Sequence, residues 1–286
     1  AIMATGTAQV TLSSATSRQK QFIEMAPSAA HTLTWMGWSR LTTGPGAATL
    51  AVGTAKGALM LYDDKHARKV PVMGKHSKAI TCGAWSINGT LVLGSEDKTV
   101  TVSLSNGDTL KTLPMAHRPW SFQFGTRPTG ADGGAVTRLG TRGPNVLSII
   151  IGGLSLLTYS IDGQGMPNDS PVELVFKASY GTLMSHQWVG TSGLLVLGFQ
   201  NGYVNVVDGR EGHSQNALCT ERLHTDYMVM CAYSESLQRL ATLGKHSLRV
   251  VDMSGAGASA QFRELKDDAN FLALPTTKAM DASTAP

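Results

Sequence analysis

The chain has 286 residues and a net charge of +4, and 42% of its residues are hydrophobic while only 15% are charged. This composition indicates a folded globular chain, and it excludes a bundle of transmembrane helices because no apolar run approaches the ~18 residues that a spanning helix needs. The small excess of positive charge does not by itself indicate nucleic-acid binding.

The start of the chain and its cysteines bear on the cellular compartment. The first residues, AIMATGTAQV, lack the basic and then apolar pattern of a secretion signal, and they do not begin with Met, so we expect a fragment. Cys82, Cys219 and Cys231 lie far apart without a CxxC spacing, which is typical of a reducing compartment. We expect Cys82 and Cys231 to be small core residues.

Three stretches repeat one hairpin pattern, namely LAVGTAKGALMLYD (50–63), LVLGSEDKTVTVSL (91–104) and LVLGFQNGYVNVVD (195–208). Gly53, Gly94 and Gly198 occupy the same place in these stretches, and Gly152 and Gly244 extend the series at intervals of 46 residues on either side of Gly198. A β-strand repeat with a period near 40 to 45 residues is typical of β-propeller blades. One thin sheet cannot bury both of its faces alone, so the repeat predicts sheets stacked around an axis.

Each repeat can be divided into four strands, which we name a to d. In residues 79–115 these are AITCGAW, TLVLGSE, KTVTVSL and TLKTLPM. Strand c alternates, with Val100 and Val102 on one face. Pro71 and Pro114 fall in strand d and predict that it is the outer edge of the blade, because proline lacks a backbone donor. Asn201-Gly202 predicts a two-residue hairpin turn between strands b and c.

The sequence therefore predicts an all-β propeller that lacks blades at both ends if the ring is seven-bladed. In chain order we expect a partial blade at 1–25 and a flexible loop at 125–145, then a partial strand (NFLALPT, 270–276) within a mobile tail at 266–286. Five full blades fill residues 31–265, and their predicted ranges are 31–74, 79–115, 121–178, 184–223 and 228–265.

The second full blade resembles the WD40 family. Its string GKHSKAITCGAW, followed by LVLGSEDKTVTV, carries a Gly-x-His before strand a and a Gly-Ser-x-Asp turn after strand b. In that family the histidine hydrogen-bonds the turn aspartate, and the matching residues here are His76 and Asp97. The resemblance implies that this pair is a structural clamp between two loops. His224 matches the histidine of the last blade, but the aspartate of its turn is missing.

A wider resemblance, over about residues 31–253, is to the N-terminal propeller of the WD repeat-containing protein 19 family, whose members are subunits of intraflagellar transport complex A. It rests on the strings LAVGTAKGALMLYD, RKVPVMGKHSKAITCGAW, LVLGSEDKTVTVSLSNGDT and LATLGKHSLRVVD, and it is strongest between residues 50 and 109. It implies a non-enzymatic interaction scaffold in retrograde ciliary transport and ciliary membrane-protein trafficking. The implied partners are other complex A subunits and cargo adaptors, and the implied location is the cilium or flagellum, the basal body and the cytoplasm.

The sequence carries no catalytic, cofactor-binding or metal-binding motif. G-x-S-x-G, H-E-x-x-H, a Walker loop and a Rossmann glycine pattern are all missing, and the eight histidines are dispersed. We therefore expect no enzymatic activity and no cofactor. A role of His76 as a metal ligand or general base is the less favoured alternative to its role in the clamp.

A basic stretch, KHARKVPVMGKHSK, contains Lys65, Arg68, Lys69, Lys75 and Lys78 and no acid. One hypothesis is a docking patch for anionic lipid headgroups or for an acidic partner, which would give peripheral membrane contact without a transmembrane segment. The favoured alternative is that these charges keep an exposed edge strand soluble.

Aromatic residues recur at the end of strand a, and they are Trp38, Trp85, Trp188 and Tyr233. We interpret them as packing between blades and not as a stacking platform for nucleic-acid bases, so no nucleic-acid partner is expected.

Two competing functions stay open at this point. One is a WD-repeat scaffold of another assembly, such as a vesicle coat or a ubiquitin ligase adaptor. The other is a propeller enzyme, which would need polar residues converging on the central channel, whereas the strands AITCGAW and MVMCAYS offer Thr81 and little else. Because an open ring exposes strand edges and apolar faces, we also expect the isolated chain to be poorly soluble.

Overall fold

A computed structural model describes nine segments of the chain, which are residues 2–5, 9–14, 20–24, 32–39, 48–64, 66–127, 144–209, 217–253 and 263–264. In these residues the fold is all-β apart from one 3-10 turn at Ala178–Tyr180, as predicted. Most of the predicted loop 125–145 and the whole tail 266–286, including NFLALPT, lie outside the described residues. The domain limits at 25–31 and 265–266 therefore stay predictions.

The strands of the described residues form six antiparallel sheets in which consecutive strands are neighbours. The N-terminal sheet consists of β1 (Ile2–Thr5), β2 (Gln9–Ser14) and β3 (Lys20–Glu24). Five four-stranded sheets follow, which we number as blades 1 to 5 in chain order. Blade 1 consists of β4 (Leu33–Trp38), β5 (Thr49–Thr54), β6 (Leu59–Asp63) and β7 (Arg68–Val72), and blade 2 consists of β8 (Ile80–Trp85), β9 (Leu91–Ser95), β10 (Thr99–Ser103) and β11 (Thr109–Pro114). Blade 3 consists of β12 (Pro119–Gly125), β13 (Val146–Ile151), β14 (Ser155–Ser160) and β15 (Val172–Val175), blade 4 of β16 (Leu183–Val189), β17 (Leu194–Phe199), β18 (Tyr203–Asp208) and β19 (Ala217–Arg222), and blade 5 of β20 (Met228–Ser234), β21 (Arg239–Gly244), β22 (Leu248–Asp252) and β23 (Arg263–Glu264).

The first strand of each blade is the innermost. β4, β8, β12, β16 and β20 lie against one another in that order and surround a central channel. The fourth strand is the outer edge, and Pro71 and Pro114 lie in β7 and β11, which confirms the prediction from proline. We call the end of the channel where the innermost strands begin the upper mouth, and the other end the lower mouth.

Every blade carries the same irregularity at the upper end of its innermost strand. The pairing with the second strand skips one residue, the bulge residue, and the five bulge residues are Thr34, Thr81, Trp120, Met184 and Val229. This common register confirms that Gly53, Gly94 and Gly198 are equivalent. Gly152 instead lies in the turn after β13, and Gly244 pairs one position beyond the site of Gly94. The predicted spacing was therefore wrong for these two glycines, because a turn glycine and a strand glycine look alike in sequence.

The turn at Asn201-Gly202 is longer than the predicted two-residue hairpin. The Gly202 N–H donates to the Phe199 carbonyl at 3.0 Å, and only Gly202 has a positive φ, of 82°. The turn therefore comprises the four residues 199–202 and ends in the left-handed Gly202. Asn201 does not adopt a left-handed conformation in such a turn. Lys98 takes the left-handed place in blade 2, with a φ of 64°.

The blades are held together where the innermost strand of one blade packs on the glycine row of the blade before it. Ile80 fills the space beside Gly53, Phe122 beside Gly94, and Met228 beside Gly198. A side chain on the glycine would occupy the same volume, so the glycines allow the sheets to approach closely. Cys82 and Cys231 are buried in these interfaces, as predicted.

The recurrent aromatic residues also lie between blades, which confirms their predicted role. Trp85 Nε1 donates to the Gly37 carbonyl of blade 1 at 2.9 Å, and Trp188 Nε1 donates to Ser148 Oγ of blade 3 at 3.0 Å. The rings of Trp85 and Trp188 therefore each contribute apolar area and one hydrogen bond that fixes their orientation, whereas the buried Trp38 Nε1 has no hydrogen-bond partner in the described residues.

Blade 5 has an apolar face that no sheet of the described residues covers. Met230, Leu243 and Leu248 form a cross-strand row on it and are 49%, 39% and 41% exposed. The equivalent row of blade 2, from Cys82 to Val100, is buried under β12. The described ring is therefore open after blade 5, while the N-terminal sheet packs against blade 1.

We predict that this face makes the isolated chain self-associate. The double substitution Met230→Glu and Leu243→Lys places an opposite charge pair on the exposed row, so it should increase the monomer fraction in light scattering with little change in melting temperature. Leu110→Lys, at an exposed apolar residue of β11, is the matched control and should not change the monomer fraction. A wild-type chain that is already a monodisperse monomer would contradict the prediction.

Candidate functional site

His76 lies in the loop before blade 2 and contacts three parts of the molecule. Its Nδ1 is 3.2 Å from Asp97 Oδ2 and 3.0 Å from Thr99 Oγ1, and its Nε2 is 3.0 Å from Thr101 Oγ1. Its backbone N–H donates to the Gly57 carbonyl of blade 1 at 3.0 Å. The predicted His76–Asp97 contact is thus present, and the sequence did not indicate the threonines or the contact with the preceding blade.

Asp97 receives hydrogen bonds from both sides of the same junction. Oδ2 accepts from the Ser77 N–H at 2.9 Å, while Oδ1 accepts from the Thr99 N–H at 2.9 Å and from Thr99 Oγ1 at 2.6 Å. Burial alone would raise the pKa of Asp97, but the bonds from Thr99 and Ser77 outweigh it and lower this pKa to about 2. Asp97 is therefore a fixed carboxylate at neutral pH.

The environment of His76 favours a structural role over a catalytic one. Burial lowers its pKa, and the Asp97 carboxylate offsets only part of that effect, so the ring is neutral near pH 7. A neutral ring donates from Nδ1 to Asp97 and accepts at Nε2 from Thr101. The side chain has no exposed area, which leaves no access for a substrate. In the described residues no group of three His, Cys, Asp or Glu side chains could hold a metal ion.

A second clamp occurs in blade 5 with different partners. His224 Nδ1 lies 2.8 Å from Ser247 Oγ, and its Nε2 lies 2.9 Å from Thr242 Oγ1. The carboxylate comes from Asp226, which lies in the same loop as His224, and its Oδ2 accepts from the His246 N–H of the turn at 3.0 Å. Ser247 and Asp226 thus take the place of the turn aspartate that the sequence lacks. The sequence string HTD (224–226) could have indicated that Asp226 lies close to His224.

Lys75 is wrong as a member of the predicted docking patch. It is only 9% exposed, and its Nζ donates to the Gly107 carbonyl at 2.8 Å and to Thr109 Oγ1 at 2.7 Å. Burial lowers the pKa of Lys75 to about 8, although the Asp108 carboxylate acts in the opposite direction. This lysine ties the loop to the turn between β10 and β11, so its charge is not available to a partner.

The rest of the basic stretch does not converge either. Arg68 and Lys69 begin β7 near the lower mouth, whereas Lys78 precedes β8 at the upper mouth. The length of β7, ~13 Å at 3.3 Å per residue, separates the two groups. Lys65 lies outside the described residues. The predicted residues therefore do not form one surface, because β7 runs between them and leaves Arg68 and Lys69 at the lower mouth and Lys78 at the upper mouth.

A channel with a volume of about 820 Å³ lies at the centre of the ring. Glu235 is its only described lining residue with a carboxylate, and Gln123 Nε2 donates to Gln187 Oε1 at 3.2 Å. Most of the other lining residues are apolar or aromatic and come from the innermost strands, for example Trp38, Trp85, Phe124, Trp188 and Tyr233. Among the described residues, the lining has no paired acid and base of the kind that hydrolytic chemistry uses.

His186 is a buried polar residue that the sequence did not single out. It lies in β16, is 2% exposed, and neither ring nitrogen has a hydrogen-bond partner of good geometry in the described residues. Burial lowers its pKa to about 4, and the backbone of Ser148 offsets only part of the effect. The ring is therefore neutral, and protonation would place an uncompensated charge between blades 3 and 4.

The described residues contain no helix that is long and apolar enough to cross a membrane.

Comparison with known proteins points to one family. Residues 1–278 match the family model described as the WDR19 first beta-propeller. The chain is 32% identical over 205 residues to WD repeat-containing protein 19 of Mus musculus, an alignment that covers 72% of this chain and 14% of that protein. It is 26% identical over 254 residues to WD repeat-containing protein dyf-2 of Caenorhabditis elegans, with 88% of this chain and 17% of that protein covered. The chain thus spans a small part of the length of these relatives.

Solved structures support the fold alone. The chain superposes on a chain of the mitotic checkpoint complex with a TM-score of 0.67 and 15% identity, over 93% of this chain and 73% of the other. The RRP9 WD40 repeats give the same TM-score and identity, over 93% of this chain and 76% of theirs. Both are WD40-type likenesses of low identity.

We predict that His76→Ala lowers the free energy of unfolding by about 2 to 3 kcal/mol, because it removes the hydrogen bonds that the buried ring makes with Asp97, Thr99 and Thr101. Urea unfolding measures the change. His117→Ala is the matched control, since His117 occupies the next interblade loop but is exposed. Equal stability of the His76→Ala and His117→Ala variants would exclude the clamp.

We also predict that the chain loses stability as the pH falls from about 6.5 to about 4. The folded-state pKa of His186 is lowered, so the unfolded chain binds protons in this window that the folded chain does not. His186→Leu should remove about 2 to 3 kcal/mol of this loss by pH 4.5. Urea unfolding at pH 7 and pH 4.5 tests this. The exposed His66→Leu is the control, and an unchanged pH dependence in His186→Leu would refute the assignment.

Proposed function

This chain belongs to the family of the WDR19 first β-propeller, and from that premise we propose that it is the propeller part of a non-enzymatic scaffold subunit of intraflagellar transport complex A. In this role it works in retrograde ciliary transport and in ciliary membrane-protein trafficking. It binds other complex A subunits and cargo adaptors, and it is found in the cilium or flagellum, at the basal body and in the cytoplasm.

The match of the family model to nearly the whole chain is the observation that carries this proposal. The relatives named WD repeat-containing protein 19 and dyf-2 align over most of the same residues. Propellers of this kind present loops and strand ends on a rigid ring, which suits the docking of several partners.

The side-chain chemistry supports a scaffold over an enzyme. Both histidines of the loop clamps, His76 and His224, are buried and bound to hydroxyl groups, so they are not free to transfer protons to a substrate. The described channel lining has the single carboxylate of Glu235 and no histidine or lysine beside it. Protein–protein contact needs none of these groups.

The test is co-purification from ciliated cells. A tagged copy of the 286-residue chain should recover complex A subunits, identified by mass spectrometry. The pair Met230→Glu and Leu243→Lys serves as a control for capture through the uncovered face of blade 5. Recovery of vesicle-coat or ubiquitin-ligase subunits in place of complex A subunits would refute the proposal, and so would turnover in a substrate screen.

A further inference from the structure

The fourth strands of blades 1 to 4 present different residues at the outer edge of the ring. In each strand, every second residue turns its backbone N–H and carbonyl away from the third strand of the blade. The bonds at the strand ends fix which residues these are. The Met115 N–H donates to the Lys98 carbonyl at 2.8 Å, so Leu113 bonds to β10 while the residues on either side of it are open. The same reasoning gives the open residues of all four strands as Lys69 and Pro71 in β7, Thr112 and Pro114 in β11, Glu173 and Val175 in β15, and Thr220 and Arg222 in β19.

Three of these four edges carry a feature that opposes the addition of another strand. Pro71 and Pro114 lie at open positions of β7 and β11, and proline has no N–H to offer to an added strand. Arg222 lies at an open position of β19, and its side chain donates to the Asn201 carbonyl at 3.1 Å and to the Thr225 carbonyl at 3.2 Å. Prolines and charged side chains are the usual means by which natural sheets protect their edges.

The outer strand of blade 3 has neither a proline nor a basic residue. Its open residues are Glu173 and Val175, and among the described residues no hydrogen bond reaches the open N–H and carbonyl of either. Val172 and Val175 are 45% and 74% exposed. We call Val172–Val175, with these open backbone groups, the β15 edge.

Contacts on both sides of the strand fix the geometry of the β15 edge. Leu174 is 5% exposed and packs in the core between blades 3 and 4. Before the strand, Lys111 Nζ of blade 2 donates to Asp169 Oδ1 at 2.6 Å. After it, the ring of Phe176 packs edge-on against that of Phe199 of blade 4, with 5.2 Å between the centroids. An edge that is already ordered loses little conformational entropy when it binds a segment.

We propose that the β15 edge binds an extended segment of a partner protein, which adds to blade 3 as a further strand. In this mode of recognition the main-chain hydrogen bonds supply affinity and alternate side chains supply specificity. The open groups of Glu173 and Val175 provide about four such hydrogen bonds. This inference rests on the proposed scaffold role and names one of its docking surfaces.

The side chains of the β15 edge define the chemistry of the partner segment. Glu173 and Val175 are two residues apart, so they point to the same side of the sheet. Glu173 is exposed and has no ion pair with any described residue, and Lys177 lies beyond the end of the strand. Opposite charges and β-branched residues are favourable cross-strand pairs. The segment therefore carries Lys or Arg opposite Glu173 and Val, Ile or Thr opposite Val175, two positions apart.

The test begins with selection from a displayed library of random dodecapeptides on the immobilised 286-residue chain, after removal of peptides that bind its Val175→Pro variant. Val175 is equivalent to Pro114, and Glu173 to Pro71, so the blade architecture accepts proline at both positions. We expect enrichment of Lys or Arg two positions from Val, Ile or Thr. For a selected peptide, Glu173→Pro should weaken binding about tenfold, because it removes a second open N–H.

Thr220→Pro is the matched control, because Thr220 occupies the position of Glu173 on the edge of blade 4. It should leave peptide affinity within about twofold of wild type, and thermal melting checks that each variant is folded. Glu173→Lys should weaken binding of the basic peptides most at low salt, because it replaces an attraction by a repulsion.

Methylation of the peptide backbone separates strand addition from capture of side chains. In an added strand only alternate residues direct their N–H groups to β15. N-methylation of every second residue in that register should weaken binding at least about tenfold, whereas N-methylation in the other register should change it by less than about threefold. This measurement uses the wild-type chain, so it decides the question even if Glu173→Pro fails to fold.

Three outcomes would overturn the proposal: selected peptides without the basic and β-branched pattern, affinity that is unchanged in Glu173→Pro, or equal loss of binding in both N-methylated registers. A rise in monomer fraction when Glu173→Pro is added to the Met230→Glu and Leu243→Lys chain would overturn it too, because the edge would then pair with a second copy. The proposed function fails separately, since a chain that recovers no complex A subunits can still bind these peptides. Equally, recovery of complex A with no peptide selected would refute only the docking surface.

Discussion

The structure depends on the burial of one blade face by the innermost strand of the next blade. A four-stranded sheet has two apolar faces and no helix to cover either, so each blade is stable only between neighbours. Gly53, Gly94 and Gly198 allow this contact because they leave room for Ile80, Phe122 and Met228. The same contact fixes the order of the innermost strands around the channel, and through them the positions of the described loops at either mouth.

The hydrogen bonds of the histidine clamps fix the positions of loops that apolar packing between blades does not determine. Burial alone would allow the loops between blades to shift, whereas the bonds of His76 and Asp97 join a loop, a turn and strand β10 in one geometry. Both clamp histidines, and His186 as well, are buried in states that protonation would disturb. We therefore expect acid sensitivity in blades 2, 4 and 5, as a consequence of how the ring is held together.

Sequence patterns predicted the features of the fold that depend on strand geometry and on burial. The alternation of β10, the edge prolines and the hairpin repeat follow from strand geometry, and the aromatic residues follow from burial between blades. The pattern could not predict that Lys75 bonds to Gly107, since that contact joins a loop to a turn 32 residues away. It also could not separate Gly152, a turn residue, from the strand glycines, because a turn glycine and a strand glycine look alike in sequence. The basic stretch looked continuous in sequence, but strand β7 carries its parts to opposite mouths.

In this propeller, the residues that hold the blades together occupy different positions from the residues that vary from blade to blade. The bulge position illustrates this, because the hydroxyls of Thr34 and Thr81 donate there to a carbonyl of the next blade, whereas Trp120, Met184 and Val229 have no hydroxyl. The ring persists in either case, since the adjoining Leu183 and Met228 are buried and supply the contact between blades. The upper mouth is thus a place where large apolar side chains can be exposed without loss of packing. A surface of this kind can acquire a partner without any change in the ring that supports it.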